Sequence, residues 1–172
     1  MPAHARRFAP KAKPDTEKRL FNRELSLVEF FREVLEAALD DRTPLLERLR
    51  FLTIFANIVD EFFMVRVSGL KEEVEEGWVQ PSPDGMTAEE QLREIRGRLR
   101  PMVAEQSRAL RENILPELER AGIAVASYDS LSGDERAQLD NYFTRNVFPV
   151  LTPLAVDPAH PFPYISGLSS EL

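Results

Sequence analysis

The chain has 172 residues, of which 43% are hydrophobic and 30% are charged, and its formal net charge is −7. This length and composition allow a buried core in one domain or in two small ones. No stretch approaches the roughly 18 uncharged apolar residues of a membrane-spanning helix, so no transmembrane segment is predicted. The absence of cysteine excludes disulfides and thiolate chemistry. Residues 1–20 lack the apolar centre of a signal peptide, so we expect a cytoplasmic protein.

Charge is distributed unevenly along the chain. Residues 1–20 contain six basic and two acidic residues together with three prolines, and we expect them to form a disordered basic tail. Because this tail carries +4 and the whole chain −7, residues 21–172 carry −11. A body of that charge repels polyanions at long range. Nucleic-acid binding is therefore not expected, unless a local basic patch overrides the overall field.

Three capping-box patterns mark the starts of helices after the tail. In residues 26–29 we expect Ser26 to be the N-cap and Glu29 to bond back to the backbone. Residues 87–90 and 132–135 predict the starts of two later helices. Apolar residues follow the first pattern at spacings of three and four and predict its core face: Val28, Phe31, Leu35, Ala38 and Leu39.

The helix that begins within residues 87–90 should continue to Gly122. Pro101 and Pro116 lie inside it, and we expect kinks or a break there because proline has no N–H to donate. Its predicted inner face comprises Leu92, Ile95, Leu99, Met102, Val103, Gln106, Leu110 and Ile114.

Residues 43–76 predict one long helix that starts with Pro44 in the first turn and ends at Gly77. Its apolar residues cover more than one stripe, whereas a surface helix shows a single stripe opposite a polar face. We therefore expect a central helix that is covered on two sides. Polar side chains in that setting are costly unless they are paired. The first candidates for a functional role are accordingly Asn57, Asp60, Glu61 and Arg66.

The pattern changes after Gly122. Residues 123–125 are typical of a short strand, prolines then become frequent, and residues 164–172 are typical of a second strand. Because a strand needs a partner, we expect residues 122–172 to be the incomplete start of an α+β domain. The predicted fold class is mainly α: a helical N-terminal domain over residues 21–121 with a long central helix, followed by the beginning of that α+β domain.

Motifs that carry chemistry are few. No glycine-rich phosphate-binding loop occurs. Asp60 and Glu61 are adjacent, so their side chains point about 100° apart on a helix and do not converge on one ion. No metal site is predicted. His160 lies among prolines and one aspartate, and we interpret it as a turn residue rather than a phosphate acceptor. We predict no catalytic residue in this chain.

Four arginines alternate with apolar residues in the third helix: Arg93, Arg96, Arg98 and Arg100. We interpret them as the solvent-facing side of that helix. The alternative is a patch that faces phosphate groups in a larger assembly.

Four separated motifs occur in the order and spacing of one known family. They are residues 22–26 (Asn-Arg-Glu-Leu-Ser), 44–48 (Pro-Leu-Leu-Glu-Arg), 60–67 (Asp-Glu-Phe-Phe-Met-Val-Arg-Val) and a segment within 142–158 that includes Leu-Thr-Pro-Leu-Ala-Val-Asp-Pro. Over residues 20–172 the chain resembles the N-terminal part of the large, multidomain bacterial polyphosphate kinases.

The resemblance implies an enzyme that reversibly transfers the terminal phosphoryl group of ATP to polyphosphate. It also implies magnesium, a phosphohistidine intermediate, and assembly into dimers or higher oligomers through an α+β head domain. ATP, ADP and polyphosphate are thus the expected partners of the full-length parent. In that family the nucleophilic histidine and the phosphate-binding arginines lie in two C-terminal domains. We therefore expect this segment alone to be inactive.

In the same family, an asparagine just before a Leu-Asp-Glu-Phe stretch contacts the adenine of ATP. The matching position here is Ile58, which cannot hydrogen-bond to the edge of a base. Asn57 lies one residue earlier, about 100° around the helix. Either Asn57 takes over this contact through a local helix distortion, or Ile58 packs against the base. We favour the second possibility.

Two other classes of function are compatible with the sequence. The first is a non-catalytic helical module for interaction or oligomerisation, whose apolar faces dock to a partner. The second is a nucleic-acid-binding helical bundle that uses the basic tail as an arm. The charge of −11 on residues 21–172 argues against the second class.

Overall fold

The computed structural model describes residues 20–77, 80–160 and 162. The first helix, α1 (Arg23–Leu39), packs along α2 (Leu45–Phe62). A π-helical turn (Phe63–Val67) follows α2 without a loop and leads into α3 (Ser68–Glu75). The predicted long helix therefore exists as one continuous helical run over residues 45–75, with a change of geometry in its second half.

A second helical run packs against the first. It comprises α4 (Ala88–Arg108), a π-helical turn (Ala109–Ile114) and α5 (Leu115–Arg120). Helix α4 contacts both α1 and α3, so the three runs enclose one apolar core. The core residues that are largest and most completely buried are Phe55, Leu35, Leu52, Ile95, Leu99, Met102, Ile114, Leu118 and Val28.

The first helix begins earlier than the capping-box pattern predicts. Asn22 is the N-cap, and its Oδ1 accepts a hydrogen bond from the Leu25 N–H at 3.0 Å. Ser26 lies inside the first turn, where its hydroxyl donates to the Asn22 carbonyl at 2.9 Å. Glu29 does not bond back to a cap. It accepts a hydrogen bond from Arg98 at 2.7 Å. The prediction for residues 26–29 is therefore wrong.

Tertiary contacts explain why Asn22 is the cap. Its Nδ2 donates to Gln91 Oε1 at 3.0 Å and to the two carboxylate oxygens of Asp84 at 3.2 and 3.3 Å. Asn22 and Gln91 are both buried. One side chain thus joins the start of α1, the loop before α4 and the first turn of α4. A pattern confined to four consecutive residues cannot show contacts of this range.

The other two capping boxes form as predicted. Thr87 accepts from the Glu90 N–H at 3.2 Å, and the Glu90 carboxylate accepts from the Thr87 N–H at 2.9 Å. Ser132 and Glu135 make the same reciprocal pair at 3.4 and 2.9 Å. Hydrogen bonds from the capping residues lower the pKa values of both glutamates, so these carboxylates stay charged at helix N-termini, where a negative charge is favourable.

Only one side of the run over residues 45–75 is covered among the described residues, so the expectation of cover on two sides is wrong. Leu52, Phe55, Phe62, Val67 and Leu70 are buried on that side. The remaining large apolar residues face outward: Leu46, Ile54, Phe63, Met64 and Val65. Pro44 is the N-cap rather than the first helical residue.

Both long helical runs end at a glycine, as predicted. Gly77 and Gly122 have φ values of +73° and +84°, a conformation that glycine adopts without steric cost. At the second end, Gly122 donates to the Glu119 carbonyl and Ile123 to the Leu118 carbonyl, which is the Schellman pattern. These bonds satisfy carbonyls that the helix itself leaves free.

The two prolines of the second run behave differently. Pro101 lies inside α4 without ending it. Pro116 lies in the first turn of α5, directly after the π-helical turn at Ala109–Ile114, so the helix changes type where a proline removes a donor. Val103 belonged to the predicted inner face but is exposed, whereas Gln91 is buried.

Residues 123–125 are not a strand in the structure, contrary to prediction. Beyond them lie a 3₁₀ turn (Tyr128–Ser130), α6 (Gly133–Tyr142), a π-helical turn (Phe143–Val147) and a second 3₁₀ turn (Phe148–Val150). The β pairing in the described part of this region is a single bridge between Asp157 and His160. The predicted strand at 164–172 and tail residues 1–19 lie outside the described residues.

Arg48 is a buried cation that the sequence analysis did not single out. It is 4% exposed, and its Nε donates to the Ala38 carbonyl at 3.1 Å, near the C-terminus of α1. Its two terminal nitrogens lie 3.3 Å from carboxylates of Glu117 and Asp41. Arg48 therefore joins the end of α1 and the first turn of α5 to the start of α2, and it satisfies a helix-end carbonyl.

We predict that Asn22→Ala lowers the free energy of unfolding by about 1–2 kcal/mol, because it removes a cap and the buried bond to Gln91. Ser26→Ala is the matched control and should change it by less than about 0.5 kcal/mol. Urea denaturation followed by circular dichroism measures both. A larger loss of unfolding free energy for Ser26→Ala than for Asn22→Ala would show that Ser26 is the N-cap.

We predict that Arg48→Met costs about 2–3 kcal/mol, since it leaves the Ala38 carbonyl without its side-chain donor and removes two ion pairs. Glu117→Gln should cost about 1 kcal/mol or less, because Arg48 keeps Asp41 and the carbonyl. The same denaturation assay compares them. Equal losses would show that the Glu117 pair, rather than the carbonyl bond, dominates.

Candidate functional site

A groove of about 280 Å³ lies between α1 and the second half of the run over residues 45–75. We call it the α1–α2 groove. Its volume is just below the range of about 300–1,000 Å³ that is usual for small-molecule sites. Six of its lining residues are apolar and two are charged: Leu27, Phe30, Phe31, Ile58, Phe62 and Val65, with Glu61 and Arg66.

The apolar part of the groove is anchored by aromatic rings. Phe31 and Phe62 are buried and meet edge to face, with ring centroids 5.3 Å apart and an interplanar angle of 84°. Phe30 is exposed at the rim and stands 6.3 Å from Phe31. Edge-to-face pairs of this kind add stability beyond area burial and fix ring orientation. The groove thus combines a rigid aromatic wall with an exposed ring that a ligand can reach.

Helical spacing places the residues of the second wall. Ile58, Glu61, Phe62 and Val65 stand at positions i, i+3, i+4 and i+7, so they share one face of the run. Phe62 is buried against the core, and Val65 is 60% exposed. The residues of this wall therefore range from buried to exposed across the width of the groove.

Arg66 is fixed by an ion pair with Glu24. Its Nε donates to Glu24 Oε2 at 2.9 Å, and its Nη2 donates to Oε1, so the guanidinium binds the carboxylate as a fork. The carboxylate of Glu24 is buried, and its hydrogen bonds raise the pKa of Arg66. The pair joins α1 to the π-helical turn beside the groove.

The π-helical turn at Phe63–Val67 lies directly beside this pair. The Ser68 N–H bonds to the Phe63 carbonyl, five residues back, so the turn contains one residue more than an α-helical turn. Single π-helical turns inside α-helices are frequent at functional sites. Here the turn carries Val65 and Arg66 on the groove.

The structure separates the polar residues that the sequence singled out. Ile58 and Glu61 line the α1–α2 groove, whereas Asn57 is exposed and does not line it. Helix α2 is regular around Asn57, and the nearest change of geometry begins at Phe63. Asp60 is half-buried, and its Oδ2 is buried without a hydrogen-bond partner among the described residues.

Sequence reasoning missed three features of the groove. Leu27 and Phe30 lie beside the predicted core face of α1 rather than on it, and Glu24 precedes Ser26, the predicted N-cap. The available signal was the spacing Glu24, Leu27, Phe31, which continues the helical period upstream of Ser26. With Asn22 as the N-cap, Glu24 and Leu27 fall within the helix and the spacing becomes visible.

His160 occupies an exposed turn. Its Nδ1 lies 2.9 Å from Asp157 Oδ1, and the hydrogen bond with His160 lowers the pKa of Asp157. Within residues 20–77, 80–160 and 162, no group of three or more His, Asp or Glu side chains is placed to hold a metal ion. No helix in these ranges is both long and apolar enough to cross a membrane.

These observations define a class: a three-run helical domain with an aromatic groove beside a buried ion pair. Sequence profiles extend that assignment. The profile of the polyphosphate kinase N-terminal domain matches residues 20–126, and that of the polyphosphate kinase middle domain matches residues 134–172. The chain belongs to the polyphosphate kinase family.

Individual relatives agree with this assignment. The chain is 51% identical to a polyphosphate kinase of Thermosynechococcus vestitus over 158 residues, and this aligned region covers 92% of the chain and 22% of that protein. It is 51% identical over 156 residues to one of Mycobacterium marinum, with 91% and 21% covered. The crystal structure of polyphosphate kinase from Porphyromonas gingivalis superposes with a TM-score of 0.67 at 27% identity, covering 85% of this chain and 20% of that one. The chain thus spans about one fifth of the length of these relatives.

We predict a coupling energy of about 1 kcal/mol between Glu24 and Arg66 in a double-mutant cycle of Glu24→Gln, Arg66→Gln and the double variant. The pair is only partly exposed, so most of the coupling should persist when salt is raised to about 1 M. Chemical denaturation of the four proteins provides the measurement. A coupling that vanishes in salt would make this a surface ion pair without influence on the groove.

Proposed function

We propose that this chain forms the N-terminal region of a polyphosphate kinase and that the α1–α2 groove is the adenine side of its nucleotide site. One observation carries the proposal. Ile58, the position at which the family's adenine contact is expected, lies in the wall of an aromatic groove rather than on a bare helix surface.

The chemistry of the groove suits a purine. Adenine is flat and largely apolar on its faces, and Ile58, Phe30 and Val65 offer apolar contact from two walls. Its edge carries an amino group that needs an acceptor. Glu61 lies in the same wall, one helical turn from Ile58, and its carboxylate is an acceptor. We therefore assign base packing to Ile58 and edge recognition to Glu61.

Asn57 has no part in this proposal. Its side chain is exposed outside the groove, and a regular α2 would have to rotate by about 100° to bring it in. Arg66 is engaged with Glu24, which leaves it to hold the groove wall in position.

The parent protein, in this proposal, transfers the terminal phosphoryl group of ATP reversibly to polyphosphate. ATP, ADP and polyphosphate are then its ligands, and magnesium accompanies the nucleotide. No residue cluster in the described part of the chain fits a metal ion, so we assign no magnesium ligand to it. The phosphohistidine and the phosphate-binding arginines belong to parts of the parent outside this segment. We further propose a cytoplasmic homo-oligomer.

A second candidate function is an interaction module, and one observation favours it. Phe63, Met64 and Val65 are consecutive residues of the run, and each is close to or above half exposed. Such a surface is typical of a docking interface. Self-association of the chain without any response to ATP would favour this module over the nucleotide role.

We predict that Ile58→Asn tightens ATP binding by roughly 3–10-fold, because an amide in the groove adds a hydrogen bond to the base edge. Ile58→Asp should not do so, since it would place a second carboxylate beside Glu61. Methyl and amide chemical shifts of the 172-residue protein during ATP titration measure the affinity and locate the site.

Asn57→Ala is the matched control for this experiment, and it should leave the titration unchanged. GTP tests the recognition of the base edge and should bind more weakly than ATP to Ile58→Asn. If Asn57→Ala weakens binding while Ile58→Ala does not, the base contact belongs to Asn57. Shifts confined to residues outside the groove would overturn its assignment.

A further inference from the structure

Two adjoining hollows lie along α4 and share no lining residue with the α1–α2 groove. One, of about 550 Å³, lies between α4 and the end of the first run, and the other, of about 490 Å³, continues along α4. They share Leu92, Arg96 and Arg100. Their lining includes four cations and no carboxylate: Lys71, Arg93, Arg96 and Arg100. We call these four residues the basic strip.

Helical spacing makes the strip linear. Arg93, Arg96 and Arg100 stand at i, i+3 and i+7, so they follow one face of α4 over about 10 Å. All three are exposed. Arg98 leaves this face and pairs with Glu29 at 2.7 Å and Glu94 at 3.6 Å. The sequence pattern treated the four arginines as one group, whereas in the structure three share a face and Arg98 does not.

The strip is only partly neutralised by its surroundings. Among the described residues, no carboxylate lies within 4.0 Å of the cationic nitrogens of Lys71, Arg96 or Arg100. Arg93 borders a further hollow with Glu90 and Glu94, so it forms the end of the strip. Like charges held close together repel, and a bound anion relieves that repulsion. A concave basic surface also raises the local concentration of anions, even on a protein of net charge −7.

Gly97 gives the strip its shape. It lies between Arg93 and Arg100 on the same face, and a Cβ added there would meet nothing within 4 Å. The surface of α4 is therefore bare at the centre of the strip, with guanidinium groups on either side. A slender, linear ligand can lie against the helix there. Arginine forks bind phosphate oxygens two at a time.

We propose that the basic strip binds an extended stretch of inorganic polyphosphate, as a site separate from the α1–α2 groove. Polyphosphate carries about one negative charge per phosphate along a flexible, unbranched chain, which matches cations spaced along one helix face. The site would hold the growing chain on the N-terminal region while its end reacts elsewhere. This inference rests on the proposed function for the identity of the polyanion.

An acidic amphipathic helix is the competing ligand, because Phe63, Val67 and Val103 give one hollow an apolar floor. The second hollow does not share that floor. It is lined by three arginines, Gly97, Leu92 and Pro101, and it adds Arg93 to the line of cations. Three arginines around the bare backbone at Gly97 favour a slender polyanion over a helix, whose side chains need space.

The test measures binding of long-chain polyphosphate to the 172-residue protein by calorimetry over a series of salt concentrations. The triple variant Lys71→Gln/Arg96→Gln/Arg100→Gln should bind at least about 10-fold more weakly, and its salt slope should fall by roughly two. Arg50→Gln/Arg111→Gln/Arg120→Gln is the control. It removes the same charge from exposed arginines elsewhere and keeps the basic tail. It should weaken binding by less than about 3-fold.

Gly97 supplies a second test that does not threaten the fold. Gly97→Ala and Gly97→Glu should both raise the stability of α4, because glycine is a poor helix former. Only Gly97→Glu should weaken polyphosphate binding, since it places a carboxylate in the centre of the strip. Loss of binding in both variants would mean that bare backbone, rather than charge, is required, and it would overturn the electrostatic assignment.

Three outcomes overturn the proposal. Equal weakening by the two triple variants would show general attraction to positive charge. Polyglutamate bound as tightly as polyphosphate would assign the strip to acidic protein partners. Absence of polyphosphate binding would remove the site altogether. None of these results bears on the α1–α2 groove, which is tested by ATP titration of the Ile58 variants, so failure of one proposal is distinguishable from failure of the other.

Discussion

The fork between Arg66 and Glu24 is the interaction on which the arrangement of this domain depends. It crosses from α1 to the π-helical turn, and it brings together two sequence motifs that are about 40 residues apart. With α1 held at this point, Phe31 meets Phe62 and the α1–α2 groove acquires its aromatic wall. Asn22, two residues before Glu24, fixes the same end of α1 to α4 through Gln91. Both contacts hold the α1 wall of the groove that Ile58 lines from the other side.

Local chemistry made part of the fold predictable. The capping boxes at Thr87 and Ser132 need only residues within one turn, and both form as predicted. Gly77 and Gly122 end helices because their backbone conformation requires little more than the absence of a Cβ. Family membership was also recoverable, since motifs in a fixed order do not depend on knowing which contacts they make.

Predictions failed where distant residues decide the outcome. Ser26 has the local pattern of a cap, but Asn22 has Asp84 and Gln91, more than 60 positions away. Arg48 reads as a surface residue until α5 places Glu117 beside it. Cover on two sides was inferred from hydrophobicity alone, which shows that a surface is apolar but not what lies against it. The groove was not predictable for the same reason. Its two walls belong to two different helices, and the pattern of either helix alone does not show that they face each other.

The π-helical turn at Phe63–Val67 has a consequence for how the two proposed sites are related. An inserted residue rotates everything that follows by about 100° around the helix axis. Ile58 precedes the turn and Lys71 follows it, so the turn sets the angular phase between them. Sequence changes that lengthen or shorten this turn would therefore re-aim Lys71, while Ile58 and the three arginines on α4 stay where they are. The geometry of one turn thus links the groove to the single cation that the first run contributes to the basic strip.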